Sequence, residues 1–79
     1  MSDTQRAKVL IAMIGDCYKG NLLRTERDKL SSIKKQLQNS IDKGKVNTHM
    51  IDILSMEVYQ IYGKHFATIL WTFLKWELL

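Results

Sequence analysis

The chain has 79 residues, a formal net charge of +4, one cysteine and two histidines. That length makes a single domain, 1–79, whose core is small, since so short a chain buries only about 60% of the surface its unfolded form exposes. One cysteine excludes an internal disulfide, and two separated histidines beside it do not make a closed zinc site, so association is the supplement to stability that remains.

There is no proline, only four glycines, and no stretch that alternates apolar and polar residues over strand length. The periodicity is helical throughout, and the expected fold class is all-α. The spacing predicts a compact bundle of three to four helices over about 3–19, 25–43, 48–62 and 64–79, with a break or kink near Gly63.

The first helix is expected to start at Asp3 or Thr4, both possible caps. Ala7, Val9, Leu10, Ile11, Met13, Ile14, Cys17 and Tyr18 fill an arc of about 200°, wide for a surface helix. Cys17 falls inside that arc, which points to a buried structural thiol, not a nucleophile. Arg6 and Lys8 ahead of VLIAMIG and DCYKG are similar to a short secretory segment ending in a lipidated cysteine. Asp16, however, stands where such a site carries a small residue, and seven apolar residues are barely enough. A cytoplasmic location is expected. Gly20-Asn21 is read as the left-handed stop of this helix.

For the second helix Thr25 is the expected N-cap, with Glu26 and Asp28 favouring the positive end of the helix dipole. Leu30, Ile33, Leu37 and Ile41 form a narrow apolar stripe, so this helix is placed on the outside, and Gly44 ends it. The segment 19–45 holds eight Lys and Arg against three acids, a local net charge of +5. Arg27, Lys34 and Lys35 in it are candidates for steering an acidic partner.

Val46, Asn47 and Ile51 read as a hydrophobic staple around an Asn N-cap that opens the third helix. Met50, Ile51, Leu54, Val58, Ile61 and Tyr62 then share an arc of about 120°. A straight helix over 48–79 would be about 48 Å long. The polar positions Lys64, His65, Thr68, Thr72 and Lys75 also fall where the apolar face had been. A break near Gly63 resolves both conflicts. His65 is placed on a solvated face, and His49 has Asp52 three positions on, a pairing able to orient an imidazole.

The chain closes on HFATILWTFLKWELL. Phe66, Ala67, Ile69, Leu70, Trp71, Phe73, Leu74, Trp76 and Leu78 cover about 220° of the last helix, whereas one core contact needs little more than 100°. Either this helix is the central plug of the bundle or part of it meets something outside the monomer. Its longest uncharged run, FATILWTFL, is far short of the roughly 20 residues of a membrane-spanning helix.

No Gly-rich phosphate loop, CxxC, HExxH or carboxylate dyad occurs, so neither an enzyme nor a cofactor is expected. IKKQLQNSIDKGKVNTHMIDIL resembles a helix-turn-helix in outline, yet 48–62 carries no Lys or Arg to reach phosphates or base edges. The expected function is that of a small regulatory or accessory protein, an inhibitor or adaptor of the kind bacteria and phages make. It would bind another protein, an acidic one if the basic helix steers it, while associated as a homodimer. The expected contact residues are Trp71, Leu74, Trp76 and Leu78, with Arg27, Lys34 and Lys35. The alternative is a regulator that binds DNA or an anionic membrane surface through the basic segment 19–45.

Overall fold

The computed structural model describes residues 2–78, and side-chain surroundings through Lys75. Four helices follow in order: α1 (Asp3–Cys17), α2 (Arg24–Asp42), α3 (Thr48–Lys64) and α4 (Phe66–Leu78). Among the described residues there is no strand.

The helix starts show which local hydrogen bonds prevail. Ser2, not Asp3 or Thr4, caps α1: its hydroxyl accepts from the Gln5 N–H at 3.1 Å while the Gln5 side chain accepts from the Ser2 N–H at 3.0 Å, a reciprocal capping box. Asp3 is thereby free to take the Thr48 hydroxyl and to pair with Arg6, tying the start of α1 to that of α3. Thr25 does not cap α2. The helix starts one residue before it, because the Glu26 carboxylate reaches back to the Leu23 N–H at 3.0 Å and satisfies an amide that would otherwise lack a partner. Asn47 caps α3 as the staple pattern implies, accepting from the N–H groups of His49 and Met50, and Val46 packs against the core.

At the helix ends the two turn glycines differ. Gly44 has φ +67°, the left-handed conformation that stops α2. Gly20 has no positive φ, so the left-handed stop expected there is not present. A Cβ on Gly20 would stand 3.2 Å from the Cys17 carbonyl oxygen, the His65 Cβ and the Ile69 Cγ1. This position is glycine because the α3–α4 junction presses against it. The break itself falls at His65, two residues beyond Gly63, which remains inside α3 with open space around it.

α1 is the central element and packs chiefly on α2 and α3. Its Ala7, Leu10, Ile14 and Cys17 meet Leu30, Ile33 and Leu37 of α2 and Ile51, Leu54, Val58 and Ile61 of α3, all buried. The one buried polar side chain among the described residues, Ser55, returns its hydroxyl to the Ile51 carbonyl at 2.6 Å. α4 gives this core only Ile69 among its described side chains. The expected alternative of a central plug therefore fails: α1 holds that place, and α4 lies at the margin. The four helices form a compact all-α bundle, as expected, with a Cα radius of gyration of 13.2 Å and extents of 40 × 25 × 17 Å. None of the described helices is long and apolar enough to cross a membrane.

Candidate protein-binding surface

α4 is anchored along one side. Ile69 is 1% exposed, and the Thr72 hydroxyl lies 3.3 Å from the Lys19 carbonyl oxygen and 3.0 Å from that of Thr68. At about 100° per residue, Ile69 and Thr72 centre the inward side. Phe73, Phe66, Leu70, Leu74 and Trp71 then spread over about 160° of the opposite side. All five are exposed, Trp71 most of all at 64%. Phe66 and Phe73 form one edge of that side, next to the body. The Phe66 ring sits 6.0 Å from that of Tyr62, and the Lys19 ammonium lies 4.1 Å over the Phe73 ring, a cation–π contact. From Phe66 to Leu74 no residue is charged. Of the four α4 residues expected to make contact, Trp71 and Leu74 stand on this exposed face. Trp76 and Leu78 fall outside the described side chains.

The basic candidates lie elsewhere, on α2. The Arg27 guanidinium is 5.3 Å over the Tyr18 ring, and the Tyr18 hydroxyl is 2.9 Å from that of Ser31. Lys34 and Lys35 line, with Tyr18, Ser31, Gln38 and Asn39, an open groove of about 370 Å³ between α1 and α2. Arg27, Lys34 and Lys35 make no ion pair among the described residues. No described contact joins this set to Trp71 or Leu74, although Lys19 of the same basic segment lies over Phe73.

One sequence expectation about histidine needs correction. His65 is not solvated: its side chain is 11% exposed, and Nε2 lies 2.9 Å from the Glu26 carboxylate, whose side chain is 13% exposed. Lys64 Nζ approaches the other Glu26 oxygen at 3.3 Å. The Leu23 N–H first, then His65 and Lys64, hold the Glu26 carboxyl down at about 2. This cluster was not visible in the sequence, because 39 positions separate Glu26 from His65. The other histidine, His49, is exposed, and Asp52 turns instead to Arg6 at 2.6 Å. Cys17 is fully buried as expected, and burial pushes its thiol up to about 11, with Asp16 and Glu26 adding to the shift.

A smaller apolar feature also went unread. Val9 and Tyr59, both exposed, line with Arg6, Leu10 and Ser55 a cleft of about 300 Å³ between α1 and α3. Val9 falls within the apolar arc of α1, but the arc is wider than the two neighbours it serves.

The chain matches no known protein family, no curated protein and no solved structure.

Proposed function

We propose that this protein works by occupancy, binding another protein through the exposed face of α4, with no reaction of its own. The observation that carries this reading is the contrast within α4: Ile69 is buried, whereas Phe66, Leu70, Trp71, Phe73 and Leu74 all face outward. Large contiguous aromatic area is uncommon on monomers and typical of the anchors that supply most binding energy. The role is that of a small regulatory or accessory protein of inhibitor or adaptor type. Arg27, Lys34 and Lys35, which make no ion pair among the described residues, favour an acidic partner by steering its approach.

The test is site-specific photocross-linking in the cells that make the protein. A benzophenone side chain at position 71 should give discrete protein adducts, while the same group at exposed Lys8 of α1 should not. Adducts of equal yield from both positions, or none from position 71, would contradict the reading.

The basic set on α2 also supports a second reading, contact with an anionic membrane or nucleic acid through 19–45. That reading requires binding that falls steeply with salt and weakens in Lys34→Gln and Lys35→Gln variants.

A further inference from the structure

We infer that the occupant of the α4 face is a second copy of this chain, packed antiparallel across a two-fold axis passing near Leu70. The inference rests on the reading of α4 as a binding surface and names its partner.

Area is the first argument. The chain exposes 5563 Å². A folded monomer of 9.2 kDa should expose only about 4,900 Å². The excess is therefore about 600 Å² per chain, or about 1,200 Å² for a pair, which reaches the lower edge of specific, stable interfaces. Among the described residues α4 carries five large exposed hydrophobic side chains, Phe66, Leu70, Trp71, Phe73 and Leu74, while Val9, Leu23, Ile53, Met56 and Tyr59 are spread over the rest of the chain.

Charge is the second. A two-fold interface sets a patch against its own copy, so it must be self-complementary. The basic surface of α2 fails that condition, because Arg27, Lys34 and Lys35 would meet their own counterparts. The α4 face passes it: Phe66, Leu70, Trp71, Phe73 and Leu74 carry no charge, and neither do the residues between them. Antiparallel pairing also sets the two helix dipoles head to tail, the favourable arrangement. Leu70, midway between Phe66 and Leu74, then meets its own counterpart. A dimer of this kind leaves both basic surfaces outward for an acidic partner.

The experiment is sedimentation equilibrium of the full chain across nanomolar to high micromolar concentration, beside the Trp71→Glu variant. The expected result is a mass rising to twice 9.2 kDa for the wild type. The variant should stay monomeric at unchanged helicity, with a dissociation constant raised at least 100-fold. Should Trp71→Glu fail to fold, oxidation of Leu70→Cys decides: a cross-linked dimer is expected, with none from Lys35→Cys as control. Monomer at every concentration, a dimer that Trp71→Glu leaves intact, or cross-linking from Lys35→Cys but not Leu70→Cys would each overturn the inference. A wild type that stays monomeric while position 71 still cross-links to a different protein would overturn self-association alone and leave the binding role of α4 standing.

Discussion

His65 Nε2 lies 2.9 Å from a Glu26 carboxylate oxygen, and this contact closes the start of α2 onto the junction between α3 and α4. The same oxygen accepts the Leu23 N–H, so one carboxylate both caps a helix and fixes the bend that sets α4 at the margin. Gly20 supplies the room for that bend, and the Thr72 hydroxyl holds the far side of it to the end of α1. The direction in which α4 presents its aromatic face is thus set by residues distant from the face itself.

The carboxylate gives the fold an acid-sensitive joint. Glu26 titrates near 2 in the folded chain, below its ordinary 4.5. A lowered carboxyl pKa means the folded state favours the ionised form, so its stabilisation is complete above about 4.5 and is lost as pH falls through 2. Glu26→Gln should therefore unfold at lower urea than wild type at pH 6, and the gap should close between pH 4.5 and 2. Other acids titrate in this range, so the difference between the two midpoints is the quantity to follow. A gap that stays constant down to pH 2 would contradict the assignment.

The thiol behaves in the opposite sense. Cys17 is buried, and its pKa is raised to about 11 from 9.0. The folded state thus favours the neutral thiol, so this stabilisation is present below 9 and is lost as pH rises through 11. At neutral pH a disulfide reagent should label Cys17 only through opening of the fold, at a rate that climbs with denaturant. Prompt labelling of the native chain would show that the thiol is not in the core.

The glycines separate packing from propensity. Gly15 and Gly63 lie within helices with nothing near a substituted Cβ. Ala at either should stabilise by about 0.5–1 kcal/mol, the usual helix penalty of glycine. Gly20→Ala should instead destabilise by about 1–3 kcal/mol, the range for overpacking, because three atoms stand at 3.2 Å. Thermal midpoints of the three variants check this directly. An increase for Gly20→Ala would mean the junction yields without cost.

Much of the core could be read from spacing alone. Leu30, Ile33 and Leu37 follow at helical intervals, and so do Ile51, Leu54, Val58 and Ile61; all are buried. Asn47 was legible as a cap because its partners are two and three residues away. What escaped depends on long-range contacts. Thr25 lost the cap to a carboxylate that α4's junction also holds, and His65 looked solvated until α2 was laid against it. The exposed face of α4 was half legible: its arc was plainly too wide for one contact, but only the placement of α1 at the centre shows which part is left over.

Core and surface should respond unequally to truncation. Leu30→Ala and Leu10→Ala, at buried positions, should cost about 2–5 kcal/mol, enough to unfold much of so small a domain. Trp71→Ala should shift monomer stability by less than about 0.5 kcal/mol, as expected for an exposed side chain. Urea titrations at nanomolar concentration make the comparison. Equal losses at positions 30 and 71 would place Trp71 in the core.

The most direct test of the account follows the emission of Trp71 alone, in a Trp76→Phe variant, as the protein is concentrated from nanomolar to high micromolar. The account predicts solvent-exposed, readily quenched emission at high dilution that becomes shielded as a second copy covers the α4 face. Emission shielded at every concentration would contradict it, because the aromatic face would then be buried within a single chain.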